Sequence, residues 1–110
     1  MENRPAEEAL EMEIKRRFVK DFLDLLILQL VQTQPIWGYN IIKKTEVKYG
    51  VKLRHGALYP MLKNLSARGH ITSSKELEKG RVRKTYKITP EGKNFLQIYH
   101  TFLKEQLGPE

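Results

Sequence analysis

The feature that most limits what this chain can fold into is the period of its apolar residues, which changes twice. Up to about residue 70 they recur every three or four positions. From Ile71 they alternate, and after Ile88 they return to helical spacing. A helical stripe and an alternating strand bury different faces and cannot be exchanged. The order of elements is therefore helices, one pair of strands, and a final helix.

The first helical part divides at its glycines and prolines. Leu10, Ile14, Phe18 and Phe22 fall at intervals of four, and apolar density then rises through Leu25, Leu26, Leu28 and Leu30. Residues 7–32 are predicted to be helical, buried on most sides in the second half, and either continuous or broken near Lys20. Pro35 and Gly38 end this helix. Residues 38–49 make a second, with Tyr39, Ile42 and Glu46 on one line and Gly50 as its left-handed stop. Residues 55–70, HGALYPMLKNLSARGH, place Leu58, Leu62 and Leu65 on one face and stop at Gly69. Pro60 lies inside that run. Proline has no N–H to donate and costs least in a first turn, so the regular helix is predicted to begin near Gly56 or Ala57.

Ile71, Ser73, Lys75 and Leu77 alternate with Thr72, Ser74 and Glu76; Val82, Lys84, Tyr86 and Ile88 alternate with Arg83, Thr85 and Lys87. Glu78-Lys79-Gly80-Arg81 supplies a glycine-containing turn between them, which makes the pair a β-hairpin. Thr89-Pro90-Glu91 is a helix start, with a hydroxyl cap, a first-position proline and an early acid. The last helix is predicted over residues 90–107. A chain of 110 residues supports one domain. The class is mainly α (α+β): a winged helix-turn-helix core over residues 22–88, with N- and C-terminal dimerisation helices over residues 7–21 and 90–107.

The net charge of +7 is not spread evenly. Residues 38–88 hold thirteen Lys/Arg against three acids, a balance of +10, while the two ends are slightly acidic. A lysine-rich solvated surface would explain a basic chain. A charge confined to the middle favours a surface that faces a polyanion. Residues 1–13 are acidic and polar, unlike a secretory leader, and the longest apolar run, residues 22–31, contains Asp24 and Gln29. That run is about half of a membrane span, so a soluble cytoplasmic chain without a membrane partner is expected.

Enzymatic chemistry has little to build on. There is no cysteine, and His55, His70 and His100 stand fifteen and thirty residues apart with no accompanying carboxylates at ligand spacing, so no metal and no cofactor are expected. Ser66, Ser73 and Ser74 lack a nucleophile elbow, and the glycines sit singly at turns and helix ends instead of forming a phosphate loop.

The basic half suits a duplex better. With Leu58, Leu62 and Leu65 inward, Lys63 and Ala67 point away from the core, flanked by Asn64 and Tyr59, with Gly56 and Pro60 on the same outer side and His55 at the leading end. A small, smooth face of this kind can enter a major groove about 12 Å wide, where Lys63 could reach a phosphate or guanine edge and Asn64 could pair with adenine. The same residues would equally suit a plain solvated helix. The hairpin favours the first reading: Lys79, Arg81, Arg83, Lys84 and Lys87 crowd its tip and second strand, with Lys75 opposite. Blunting an edge strand takes fewer charges than that.

Three segments together carry a resemblance. WGYNIIKK (residues 37–44), HGALYPMLKNL (55–65) and GRVRKTYKITPEGK (80–93) occur in an order and spacing that resemble the PadR family of winged-helix transcriptional regulators, over residues 22–95. The resemblance implies a homodimeric DNA-binding repressor of the short subfamily with a single C-terminal helix. It implies that Tyr39, Tyr59 and Lys63 face DNA and that Arg81 and Arg83 make the wing contacts. Arg54-His55-Gly56 departs from the small hydroxyl residue or proline that relatives carry before this glycine, and Asn64 replaces a second base after Lys63, which bears on base preference.

Phe95, Tyr99, Phe102 and Leu103 give the last helix a wider apolar surface than a small winged domain needs, and Leu10, Ile14 and Phe18 do the same for the first. The two ends could pack on each other within one chain. A shared dimer interface is favoured because a two-fold dimer matches paired DNA half-sites. Some members of the family that the chain resembles bind flat aromatic molecules at that interface, so a small aromatic effector beside Phe95, Tyr99 and Phe102 is an implied partner. Trp37 is expected to be packing. The competing class is a winged-helix protein-interaction module that docks its basic face on an acidic partner.

Overall fold

The computed structural model describes residues 4–109. The elements run α1 (Arg4–Asp21), α2 (Leu23–Val31), β1 (Ile36–Trp37), α3 (Gly38–Tyr49), α4 (His55–Ala67), β2 (Ile71–Glu78), β3 (Arg81–Ile88) and α5 (Pro90–Leu107). The strands form one antiparallel sheet in the order β1-β3-β2.

The core gathers around α2. Leu23, Leu25, Leu26, Ile27, Leu28 and Val31 are all buried, so this helix is apolar on most sides, with Asp24 and Gln29 partly exposed, and packs against α1, α4, α5 and β3. Ile41 of α3, Leu58, Leu62 and Leu65 of α4, Ile71 and Ile88 of the sheet and Leu96 of α5 close around it. The break in the first helical stretch lies at Phe22, two residues beyond Lys20. Phe22 has φ −114° and ψ 32°, yet its N–H still donates to the Phe18 carbonyl and its carbonyl still accepts from Leu26 N, both at 2.9 Å. The helical dihedrals break there while these two hydrogen bonds persist.

Gly50 closes α3 as expected: its φ is +68° and its N–H donates to the Glu46 carbonyl at 2.8 Å. Helix α4 starts at His55, slightly before the sequence reading put it. Its first α-type hydrogen bond runs from Leu58 N to the Arg54 carbonyl at 3.0 Å. Pro60 stands two residues later, so the carbonyl of exposed Gly56 receives no bond from it. No side chain caps α4 at Arg54, as the missing hydroxyl residue implies.

Three segments meet where α4, the hairpin and α5 join. Thr89 caps α5, its Oγ1 accepting from Gly92 N at 2.9 Å and donating to the Gly69 carbonyl at 2.6 Å. Thr89 N donates to the His70 carbonyl at 3.1 Å. Gly92 lies so close that a Cβ there would fall 2.1 Å from that same carbonyl oxygen. The His70 ring stacks on Phe95 with centroids 4.4 Å apart, and the Arg68 guanidinium lies over the Phe95 ring at 5.1 Å.

Strand β1 is absent from the sequence reading, which has only the end of a helix at Pro35 and Gly38. Its two residues pair with β3 in the register Ile36↔Tyr86 and Trp37↔Thr85. No alternation can be read from two residues.

Candidate nucleic-acid interface

One exposed side of the molecule is built from α4, the start of α3 and the hairpin. On α4, His55, Tyr59 and Lys63 follow one another at intervals of four, with Gly56, Pro60 and Asn64 as the adjacent row, and all six are exposed. The inward face is Leu58, Leu62 and Leu65, each essentially solvent-free. The His55 and Tyr59 rings stack nearly parallel, 5.5 Å apart at 6°.

Tyr59 also fixes how α3 approaches α4. A Cβ at residue 38 would sit 2.8 Å from the Tyr59 hydroxyl, so the glycine makes room for the phenol. Tyr39, the next residue, is 51% exposed, and the Lys43 ammonium lies 5.5 Å from its ring centre.

The hairpin turn has two central residues, because Glu78 pairs with Arg81. Lys79 (φ +50°) and Gly80 (φ +78°) both occupy the left-handed region, the pattern of a type I′ turn that matches the twist of its strands. Lys79 and Arg81 are exposed at this tip. Arg83 differs: it is half-buried, its guanidinium carbon 4.5 Å from the centre of the Trp37 ring.

A cleft of about 240 Å³ joins these parts, lined by Trp37, Gly38, Tyr39, Tyr59, Arg83 and Tyr86 among others. Burial, and then neighbouring Tyr59, push the Tyr86 phenol above its ordinary value, so it stays protonated and uncharged. The fold therefore brings Tyr39, Tyr59 and Arg83 to one cleft and sets His55, Lys63 and Asn64 on the helix face that flanks it. Lys79 and Arg81 stand at the projecting tip. The sequence reading missed Trp37, which is the platform under Arg83; only its place just before Gly38 and Tyr39 hinted at that.

The residues named for dimerisation divide into two groups. Phe18, Phe95, Tyr99 and Leu103 are partly buried against the core, Phe18 stacking on Phe22 at 5.6 Å and meeting Tyr49 at a tilt, 5.4 Å between ring centres. Leu10, Ile14 and Phe102 are 59%, 63% and 57% exposed, and Ile98 joins them at 60%. Among the described residues no His, Cys, Asp or Glu group could hold a metal ion, and no helix is long and apolar enough to cross a membrane.

Three helices around a buried α2, followed by a docked two-stranded ribbon, define the class: this is a winged helix-turn-helix protein. The model of the PadR-like family of transcriptional regulators matches residues 27–98, and the chain belongs to that family. A transcriptional regulator from Mycobacterium tuberculosis is 37% identical over 90 residues, which cover 82% of this chain and 83% of that protein. A PadR-like transcription factor from Bacteroides fragilis superposes with a TM-score of 0.73 at 27% identity, over 86% of this chain and 91% of its own. Bacillus subtilis PadR, solved in complex with operator DNA, gives a TM-score of 0.66 at 28% identity, over 71% of this chain and 47% of the longer relative.

Proposed function

We propose that this chain is a homodimeric, sequence-specific DNA-binding repressor of the cytoplasm, with α4 in the major groove and the basic hairpin along the backbone or in the minor groove. The observation that carries the reading is the arrangement of the exposed side: Tyr59 lines one cleft with Tyr39 and the wing's Arg83, and His55 and Lys63 stand exposed on either side of Tyr59 along α4. Helix and wing thus flank one cleft, and exposed Lys63, Lys79, Arg81, Lys84 and Lys87 bring to it part of the charge concentrated in residues 38–88. A duplex offers a groove for the smooth helix and phosphates for the wing. The relative from Bacillus subtilis, solved with operator DNA, supports the same partner for this surface.

Dimerisation through α1 and α5 is supported by what they leave uncovered. Leu10, Ile14, Ile98 and Phe102 are exposed apolar side chains on helices at the two ends. The radius of gyration is 16.0 Å, against about 13 Å for a compact chain of this length. A two-fold dimer would cover these faces and set two α4 helices on paired half-sites. An aromatic effector beside Phe95, Tyr99 and Phe102 would lie at the same interface.

The test is retention of genomic fragments followed by gel retardation of the best one. Sequence-selective retention is expected, with log affinity falling linearly with log salt by about 0.9 per phosphate contact. Lys63→Ala and Arg81→Ala should each weaken binding. No shift in either midpoint rejects this surface, and capture of an acidic protein without DNA selectivity would favour an interaction module.

A further inference from the structure

Trp37 is the single tryptophan of the chain, and it lies half-buried at the sheet edge, outside the core cluster. The two-residue strand β1 sets it there. Trp37 pairs with Thr85, so Arg83, two residues along the same face of β3, is its diagonal neighbour and within reach of a long side chain. The guanidinium takes that position, 4.5 Å from the ring centre. The other cations of the hairpin, Lys75, Lys79, Arg81, Lys84 and Lys87, are all exposed. Arg83 is the one that a ring has partly withdrawn from solvent.

We propose that Trp37 is a positioning residue that holds Arg83 ready for the DNA contact of the wing, a role that rests on the DNA-binding reading above. A cation over an aromatic face is held through the π-system, while all the N–H donors of a guanidinium lie in its own plane. Arg83 can therefore stay on the indole and still direct an N–H edge outward. A side chain fixed before binding loses less freedom on binding, so the contact gains affinity without a new bond. Trp37 in turn is fixed by main-chain pairing of β1 to β3 and by its place directly before Gly38, where α3 begins. Trp37 lies on β1 directly before α3 and Arg83 on β3, so the stack adds a side-chain contact to the main-chain pairing that ties the wing to the helices.

A purely structural stack would pin the wing and do nothing more, and the two roles separate in measurement. The probe is a duplex enriched by repeated binding and amplification from a random-sequence pool. Arg83→Ala should weaken binding about tenfold and lower the salt slope by about 0.9. Trp37→Leu should weaken it about threefold, the equivalent of an exposed cation–π contact, and leave the slope unchanged because Arg83 still reaches its phosphate. The double variant should bind as Arg83→Ala does, within about twofold, since the indole acts through the arginine. Trp37→Phe should recover most of the loss, and Arg83→Ala should shift the emission of Trp37 in the free protein. The positioning role is overturned if the double variant shows the product of both single losses, or if Trp37→Leu lowers the slope by more than one contact, which would mean that the whole wing has come away. Unchanged affinity in Arg83→Ala, Arg81→Ala and Lys63→Ala together overturns the interface itself, and the positioning role with it.

Discussion

Replacing Gly92 by alanine sets two effects of opposite sign against each other. Gly92 is the third residue of α5, and inside a helix Gly→Ala gains up to about 1 kcal/mol from backbone entropy. Here the new Cβ would lie 2.1 Å from the His70 carbonyl oxygen and 2.8 Å from Ile88 Cγ1. Opening the first distance to 3.0 Å, below which real Cβ contacts are essentially never found, requires a shift of 0.9 Å, and the atom that must move is backbone. That carbonyl accepts from Thr89 N, and Gly92 N donates to Thr89 Oγ1, so the shift disturbs the cap as well. Overpacking costs about 1–3 kcal/mol and a lost cap about 1 kcal/mol, less the propensity gain, which leaves a net loss of about 1–3 kcal/mol. At roughly 4 °C per kcal/mol for a chain of this size, Tm should fall by about 4–12 °C. The assay is thermal unfolding followed by circular dichroism at one fixed protein concentration, because association also raises Tm. Gly56→Ala is the control: nothing lies within 4 Å of a Cβ there, so Tm should hold or rise slightly. A Tm for Gly92→Ala at or above the parent's, or equal shifts in both variants, would refute the steric argument.

Other outcomes follow from the same geometry. Thr89→Ala loses both bonds of its hydroxyl and should cost about 1–2 kcal/mol in urea unfolding, whereas Thr89→Ser should keep most of the stability. Lys79→Asn places a residue suited to the left-handed region ahead of Gly80 and should stabilise the turn by about 0.5–1 kcal/mol; faster amide exchange in the hairpin would contradict the turn type. His70 is held below its ordinary 6.5 by burial first and Arg68 second, against upward pulls from Asp24 and Glu91. The folded chain then binds fewer protons than the unfolded one just below pH 6.5, so stability is full above that value and declines as pH falls through it. His70→Phe, which also removes a buried Nδ1 with no partner among the described residues, should flatten that part of the stability–pH curve. If α1 and α5 form the dimer, Ile14→Asp and Phe102→Asp should each lower the sedimenting mass towards that of one chain; an unchanged mass for both would place the interface elsewhere.

Periodicity made most of the fold readable. Leu58, Leu62 and Leu65 marked the buried face of α4, and the alternation around Lys79-Gly80 gave the hairpin with its turn. Thr89-Pro90 gave the start of α5. What stayed hidden depends on contacts between distant segments. Strand β1 has two residues and exists because β3 lies beside it, and without β1 nothing assigns Trp37 to Arg83. The dihedral break at Phe22 interrupts neither the apolar stripe nor the hydrogen bonds, so the sequence marked it only approximately, near Lys20. The terminal helices read as carrying more apolar surface than the winged domain needs; of those residues Phe18, Phe95, Tyr99 and Leu103 are partly buried against the core while Ile14 and Phe102 are exposed. That division depends on which side of each helix meets the rest of the protomer, which a stripe does not encode.

The junction of His70, Thr89 and Gly92 also has a mechanical side. Two hydrogen bonds, from Thr89 N to the His70 carbonyl and from Thr89 Oγ1 to the Gly69 carbonyl, tie the residues just after α4 to the beginning of α5, and Gly92 packs closely on the same His70 carbonyl. Helix α4 has 13 residues and so extends about 20 Å from that joint. A rotation of about 5° imposed on α5 would swing the far end of α4 by nearly 2 Å, more than half the rise of one DNA base pair. If the joint holds rigid, α5 would act as a lever on α4, and a torque at the terminal helix would displace the far end of the proposed recognition helix.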